Sequence, residues 1–214
     1  MIKLIKSLIL LLGMILPGVG FAGAQIYEPL SASVQASLYK SVSDRASPKL
    51  VFLDQQEAHA WLNTMSRRMA PYFPDETQRR EFLTTVQYEA TRAGLDAQMV
   101  LGLIQVESGF KKYAVSSASA RGYMQIMPFW VKLIGAPGQD LFHLRTNLRY
   151  GCTILRYYID VEKGNLYRAL GRYNGSLGQP EYPNMVLSAW KNHWAWNYNP
   201  SRKTAEQTPS KTPG

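Results

Sequence analysis

Cysteine is nearly absent from this chain of 214 residues, since Cys152 is the only one. A single cysteine cannot form an intrachain disulfide, so the fold must depend on its core. Cys152 lies in an apolar helical segment, which predicts a buried packing residue rather than a reactive thiol. Histidine is also scarce, and His59, His143 and His193 are too far apart in sequence to suggest a metal site. We therefore expect no metal ion and no other cofactor.

Apolar runs long enough to cross a membrane are missing as well. The run from Leu8 to Leu16 follows Lys3 and Lys6 and precedes Ala22-Gly23-Ala24. A bilayer core needs about 20 apolar residues, so this pattern predicts a secretory signal peptide over residues 1–24, cleaved after Ala24. We expect an exported, periplasmic protein without stable membrane insertion after cleavage. An uncleaved signal anchor is the alternative.

Acidic residues are in the minority, with 15 Asp and Glu against 24 Lys and Arg. Removal of Lys3 and Lys6 with the signal peptide lowers the formal charge from +9 to +7. A basic exported protein is attracted to anionic polymers, which include cell-wall glycan with its peptide acids, membrane surfaces and nucleic acid. Dense basic runs with interleaved aromatic residues are lacking, and together with export this argues against nucleic acid as a partner. The sequence identifies no protein partner.

Convincing alternation of apolar and polar residues is lacking too, whereas helical spacing is frequent, so the fold class is predicted to be all-α. The predicted helices run over about residues 54–69 with Asp54 as cap, 77–94, 96–108 with Asp96 as cap, 147–164 with Asn147 as cap, 166–173 and 182–194.

Four segments follow from these patterns. They are the signal peptide 1–24, an N-terminal extension 25–76 with one helix at about 54–69, a helical domain 77–198, and a tail 199–214. Residues 25–50 are rich in Ser and Ala without a clear apolar stripe, and the tail has no large apolar residue. Both are therefore expected to be mobile.

Glu107 is the most informative charged residue. It continues the helical stripe of Val100, Leu103 and Ile104, so its carboxyl should face the core side and lose hydration. Lost hydration raises the pKa of a carboxyl, which is the condition for a general acid near neutral pH. A solvated Glu, or one paired with a lysine at 111 or 112, is an equal alternative on position alone.

The segment after Glu107 favours a ligand site. Residues 116–122 are small and polar, so this loop can lie close to a ligand and offer backbone amides and hydroxyls. Met124, Gln125 and Met127 then provide the mixture of apolar and amide contacts that a sugar ring requires.

Taken together, these motifs resemble a known family. They are Glu107-Ser108-Gly-Phe, Ala114-x-Ser116, Ala120-Arg121-Gly122-x-Met124-Gln125-Ile-Met127-Pro128, Asn147-Leu-Arg-x-Gly151 and Tyr173-Asn174. Their order and spacing over about residues 77–195 are similar to the catalytic domain of the soluble (SLT-type) lytic transglycosylases, which share their fold with goose-type lysozyme. The resemblance implies a lysozyme-like helical domain with an N-terminal helical extension.

The resemblance also implies roles for single residues. Glu107 matches the family's catalytic acid, and Ser116 matches the serine that contacts the muramic sugar. The other positions matched to the substrate cleft are Ser108, Gly122, Tyr123 in place of the usual Leu, Met124, Gln125, Met127, Tyr173, Asn174 and Tyr182. The motif around Tyr173-Asn174 departs from the family at Arg172, Gly175, Ser176 and Leu177.

The nearby carboxylates offer no clear second catalytic acid. Asp96 suits a helix cap, Asp140 suits a loop, and Glu89 is expected to be solvated or paired with Arg92. The resemblance implies that one acid suffices, because Glu107 would protonate the glycosidic oxygen between N-acetylmuramic acid and N-acetylglucosamine of peptidoglycan. It would then take the proton of the muramic 6-hydroxyl, which closes a 1,6-anhydro ring. The alternatives are a hydrolytic muramidase of the goose-lysozyme type and a non-catalytic wall-binding or assembly protein.

Overall fold

Helices dominate residues 25–198, the part of the chain that the computed structural model describes. The predicted signal peptide 1–24 and the predicted tail 199–214 lie outside these residues. The helices are α1 (Ala32–Ser43), α2 (Gln55–Met69), α3 (Glu76–Arg92), α4 (Ala97–Ser108), α5 (Phe129–Ile134), α6 (Leu144–Val161), α7 (Leu166–Asn174) and α8 (Glu181–Ala189), followed by a π-helical turn, Trp190–Trp194.

Strands do not form within the described residues, where only two isolated β-bridges join Val115 to Arg121 and Arg121 to Ile126. The predicted all-α fold is therefore confirmed. None of the helices in residues 25–198 combines the length and the apolar character that crossing a bilayer requires.

Aspartate caps begin three of the helices. Asp54 accepts a hydrogen bond from the backbone N–H of Gln56 at 2.8 Å, and Asp96 accepts one from Met99 at 2.8 Å. Both caps were predicted from the sequence. Asp75 caps α3 in the same way, so that α3 begins at Glu76. These side chains satisfy N–H groups that have no partner within the helix.

Helix α4 runs through the centre of the core. Val100, Leu101, Leu103 and Ile104 have no exposed surface, so the helix is buried on more than one face. It contacts α3, α8 and the π-helical turn. A Cβ atom at Gly102 would lie 2.8 Å from the backbone nitrogen of Trp190, so glycine permits the close approach of these two elements.

Helix α1 contradicts the expectation that residues 25–50 are mobile and lack a helix. Its side chains Leu38 and Val42 are buried, Val34 packs against the same core, and the helix contacts α5 and α6. The three residues are four positions apart and form one narrow stripe between Ser and Ala residues. This stripe gains its stabilisation from tertiary contacts, which a search for a strong local pattern underestimates.

Two other expectations need correction. Helix α6 begins at Leu144, so Asn147 lies inside the helix and does not cap it. The short helix α5 had no sequence prediction, and the expected helix 182–194 is divided into α8 and the π-helical turn. The boundary expected between an extension and a domain near residue 76 stays a prediction, because α1 and α2 both pack on helices that follow it.

Candidate active site

Glu107 occupies the last turn of the central helix α4. The helix ends at Gly109, whose φ of 56° is left-handed and whose N–H donates to the carbonyl of Gln105. The Glu107 residue is only partly exposed. The negative end of the helix dipole lies at this terminus, so the helix offers the carboxylate no stabilisation.

Burial dominates the electrostatics of Glu107. Loss of hydration raises the pKa of its carboxyl from 4.5 to about 8, and a hydrogen bond from Tyr182 lowers that pKa in part. Within the described residues, no lysine or arginine forms an ion pair with Glu107, and Lys111 and Lys112 are exposed. The alternative of a lysine-paired surface Glu is thus wrong. At neutral pH the carboxyl holds its proton.

Two tyrosines lie beside this carboxyl. Tyr182, at the start of α8, is buried, and its hydroxyl is 2.5 Å from Oε1 of Glu107. Tyr173, on α7, has no exposed surface and donates to the carbonyl of Met124 at 2.7 Å. Burial and then the nearby Glu107 charge raise the pKa of both hydroxyls well above the usual value. Both tyrosines therefore stay protonated.

The loop that follows α4 folds back on itself. The N–H of Ser116 donates to the carbonyl of Ala120 at 3.1 Å, and the Ser116 hydroxyl accepts from the N–H of Ala120 at 3.1 Å. Arg121 and Ile126 pair through both of their backbone groups, at 3.0 and 2.9 Å. Gln125 has a positive φ of 49°, and its side-chain amide donates to the carbonyls of Ala114 and Gly122. Its amide nitrogen therefore braces the loop.

Asn147 fastens this loop to α6. Its Oδ1 accepts from the N–H of Met124 at 2.8 Å, and its Nδ2 donates to the carbonyls of Arg121 and Leu141 at 2.9 and 2.8 Å. Gly122, with φ of 74°, lies against this amide, since a Cβ there would be 2.4 Å from Nδ2. Glycine is required at this close approach. This role for Asn147 was missed, because a buried Asn near a helix start looks like a cap in sequence.

Several residues matched to the cleft by resemblance have side chains in the core. Met124 is fully buried, and a Cβ at Gly151 would be 2.2 Å from its sulfur. Tyr123 is 5 % exposed, and its ring centroid is 5.0 Å from that of Phe82. Burial raises the pKa of Tyr123 to about 12. Their side chains therefore fix the loop to the protein core.

Ser108, Asn174 and Met127 differ in their surroundings. Ser108 is buried, with its hydroxyl 2.8 Å from the carbonyl of Tyr123, so it joins the end of α4 to the loop. Asn174 is 5 % exposed, and its Nδ2 has no partner among the described residues. Met127 is half-buried, and its N–H donates to the side chain of Gln25 at 3.2 Å.

Gln25 was not expected near the site. Its side chain is buried and also donates to the carbonyl of Gln125 at 3.3 Å. Burial and then the nearby Glu107 raise the pKa of the Tyr173 hydroxyl, and the Gln25 side chain lowers it in part. No local pattern in the sequence indicates this contact, because the partners are about 100 residues apart.

The other carboxylates considered from sequence are engaged elsewhere. Glu89 has no exposed surface and pairs with Arg92 at 3.0 Å and with Arg149 at 2.7 Å. Its predicted ion pair with Arg92 is confirmed, and it faces inward. Asp140 accepts from the N–H of Phe142 in a loop. Trp194 closes the core beside Phe110, with ring centroids 5.5 Å apart, and Cys152 is buried as predicted.

Part of this sequence is similar to known proteins. The Transglycosylase SLT domain family matches residues 84–183. Curated relatives include proteins named membrane-bound lytic murein transglycosylase C. That of Mannheimia succiniciproducens is 38% identical over 66 residues, which are 31% of this chain and 17% of the relative. That of Haemophilus influenzae is 36% identical over 70 residues, 33% of this chain and 18% of the relative.

The matched segments cover only part of this chain and a smaller part of each relative. A third relative, from Actinobacillus pleuropneumoniae, is 39% identical over 67 residues, 31% of this chain and 17% of the relative. The chain thus spans less than a fifth of the length of these relatives. No solved structure matches the chain significantly. Glu107, Tyr173 and Tyr182 all lie within the matched segment, and residues 84–183 of this chain are an SLT-type transglycosylase domain.

Proposed function

We propose that this chain is an exported peptidoglycan lytic transglycosylase with Glu107 as its single catalytic acid and base. It would cleave the β-1,4 bond between N-acetylmuramic acid and N-acetylglucosamine without water and leave 1,6-anhydro ends. The observation that supports this most is the carboxyl of Glu107, which has a pKa of about 8, no cationic partner among the described residues, and a hydrogen bond to Tyr182.

The first step needs a proton at the glycosidic oxygen. A carboxyl with a pKa of about 8 keeps its proton at neutral pH and can donate it as the C1–O4 bond breaks. The leaving N-acetylglucosamine departs as an alcohol. The N-acetyl group of the muramic sugar can stabilise the cation that forms at C1, so no second carboxylate is required.

The second step needs a base in the same place. Glu107 is now a carboxylate, and the Tyr182 hydroxyl stabilises it through the hydrogen bond at 2.5 Å. The carboxylate takes the proton of the 6-hydroxyl, and O6 bonds to C1 of the same sugar. Glu107 is protonated again at the end, so the cycle is balanced without water. A tethered hydroxyl has a high effective concentration, which favours this step over hydrolysis.

Digestion of purified sacculi tests this proposal. We expect wild-type protein to release fragments with anhydro ends and Glu107→Gln to release none while still binding sacculi. Glu76→Gln is the matched control, since it removes an exposed carboxylate far from Tyr182 in sequence, at the start of α3. Products with reducing ends would indicate a muramidase, and normal product yield from Glu107→Gln would exclude its catalytic role. Binding by wild-type protein without release would indicate a non-catalytic wall protein.

Export is a second part of the proposal. The basic, apolar and small-residue pattern of residues 1–24 supports cleavage after Ala24. N-terminal sequencing of protein recovered from the periplasm should begin at Gln25. A start at Met1 in that fraction would support an uncleaved anchor instead.

A further inference from the structure

The buried side chain of Gln25 is unusual for its surroundings. Gln25 is 4 % exposed, whereas the next two residues, Ile26 and Tyr27, are 58 % and 57 % exposed. The segment therefore places a polar side chain inside the protein and leaves large apolar ones outside. Burial of an amide is favourable only when both its donor and its acceptor find partners.

Both partners of Gln25 come from one backbone edge. Its Nε2 donates to the carbonyl of Gln125 at 3.3 Å, and its Oε1 accepts from the N–H of Met127 at 3.2 Å. The intervening Ile126 uses its own N–H and carbonyl to pair with Arg121. The carbonyl of Gln125 and the N–H of Met127 have no backbone hydrogen-bond partner among the described residues, and we call this pair of groups the free edge. A carboxamide with one donor and one acceptor fits this edge.

This edge adjoins the proposed catalytic group. Tyr173 hydrogen-bonds the carbonyl of Met124, the residue directly before Gln125. Burial and then the Glu107 charge raise the pKa of the Tyr173 hydroxyl, and the Gln25 side chain lowers it in part, so both side chains lie near this hydroxyl. Gln25 and Glu107 thus both lie near the Tyr173 side chain.

Two exposed contacts hold the segment in place. The Tyr27 ring meets Phe129 edge-on, with centroids 5.6 Å apart, and the Glu28 carboxylate lies 2.7 Å from Nη1 of Arg172. Arg172 is one of the positions at which the sequence departs from the family motif. Exposed ion pairs contribute little free energy, so these contacts can be broken and re-formed. We name residues 25–28 the N-terminal strap.

We infer that the strap is an intramolecular ligand of the substrate cleft, and that glycan must displace Gln25 to bind. The N-acetyl group of a sugar carries the same pair of groups as the Gln25 side chain, one N–H donor and one carbonyl acceptor. It would therefore compete for the carbonyl of Gln125 and the N–H of Met127. This inference rests on the proposed function, because it assumes that the cleft binds an acetylated glycan.

Binding of tri-N-acetylchitotriose to the purified chain, measured by calorimetry, tests the inference. If the strap occupies the cleft, Gln25→Ala should bind the trisaccharide about tenfold more tightly, because the competing contact is lost. Glu28→Ala should bind about twofold more tightly, since it removes only the ion pair to Arg172. The matched control is Gln35→Ala, which also removes a side-chain amide that donates to a backbone carbonyl, that of Leu133, and should leave the Kd unchanged.

A second sugar distinguishes competition between Gln25 and the N-acetyl group from a general increase in access to the cleft. Cellotriose lacks N-acetyl groups, so Gln25→Ala should improve its binding far less than it improves binding of the acetylated trisaccharide. Equal or weaker binding of tri-N-acetylchitotriose by Gln25→Ala, with an unchanged melting temperature, would overturn the inference and place Gln25 among the binding residues. Failure of every variant and of the wild type to bind the acetylated sugar would instead overturn the proposed glycan cleft, and the inference with it.

Discussion

The hydroxyl of Tyr182 lies 2.5 Å from Oε1 of Glu107, although the two residues are 75 positions apart in sequence. Helix α4 supplies the carboxyl and helix α8 supplies the hydroxyl, and these helices are in direct contact. Burial raises the pKa of Glu107 while the hydrogen bond lowers it in part. In the proposed mechanism, the raised pKa keeps the proton available for donation, and the hydrogen bond stabilises the carboxylate that forms afterwards.

Removal of the Tyr182 hydroxyl should change both the pKa of Glu107 and the reaction rate. In Tyr182→Phe the carboxylate loses its hydrogen bond, so the pKa of Glu107 should rise above about 8. We expect the rate on sacculi to fall about tenfold, because the base step loses an oriented carboxylate. The alkaline limb of the pH–rate profile should move to higher pH. Tyr167→Phe is the control, since it removes an exposed hydroxyl bonded to Pro180 and Asn184. An unshifted alkaline limb would exclude this role for Tyr182.

Glu107 should also make the stability of the protein depend on pH. Its pKa is raised from 4.5 in the unfolded chain to about 8 in the folded protein, so its contribution is complete below pH 4.5 and is lost as the pH rises through about 8. Glu107→Gln has no such loss, and its melting temperature relative to wild type should increase between pH 4.5 and 8 by at least about 3 °C. Thermal unfolding across this range measures the difference.

Glu76 is the control for the pH experiment, because its pKa is shifted in the direction opposite to that of Glu107. The hydrogen bond and charge of Arg80 lower the pKa of the exposed Glu76 carboxyl. Its contribution is present above the unfolded pKa and is lost at low pH, so Glu76→Gln should gain nothing on wild type as the pH rises. A difference between Glu107→Gln and wild type that stays constant from pH 4.5 to 8 would contradict burial of the Glu107 carboxyl.

Asn147 should be important for stability because three hydrogen bonds of its side chain hold the loop of the candidate site. Asn147→Ala leaves the N–H of Met124 and the carbonyls of Arg121 and Leu141 without this partner, which should cost about 2–4 kcal/mol of unfolding free energy. Thr146→Ala, one residue earlier on the same helix, changes an exposed hydroxyl and should cost about 0.5 kcal/mol or less. Urea unfolding compares the two, and equal losses would refute the role of Asn147.

Substitution of Glu89 should lower the stability of the protein without changing its catalytic activity. Glu89→Gln removes the partner of the buried Arg149 and of Arg92, so we expect a loss of about 3 kcal/mol in unfolding free energy. Activity per folded molecule should stay near that of the wild type, because Glu107 is proposed to act alone. A large fall in specific activity with little loss of stability would instead indicate a second catalytic carboxylate.

Local signals were sufficient for much of the fold. Asp54 and Asp96 precede helical apolar spacing, and both cap their helices as predicted. Spacing by three and four residues, which defines one face of a helix, predicted an inward-facing Glu107 with a raised pKa as one of two equal alternatives, and burial does raise this pKa. These features depend on residues within one or two turns of each other.

Other features had no adequate local signal. Helix α1 has one narrow stripe, Val34, Leu38 and Val42, and forms because α5 and α6 cover it. Asn147 was predicted to be a cap, because the sequence shows its residue type and position but does not show that its side-chain amide binds the loop at Arg121 and Met124. Tyr123 was matched to the cleft by alignment of motifs, yet its ring packs on Phe82.

Sequence alone thus established the helical class and two aspartate caps and indicated that the Glu107 carboxyl faces inward, because helix geometry converts residue spacing directly into position. Tertiary structure alone decided what surrounds that carboxyl. Tyr182 meets it from α8, Asn147 holds the loop beside it, and Gln25 fills the free backbone edge of Gln125 and Met127. Each of these contacts joins residues 23 to 102 positions apart, and such pairs are brought together only by packing of the whole core.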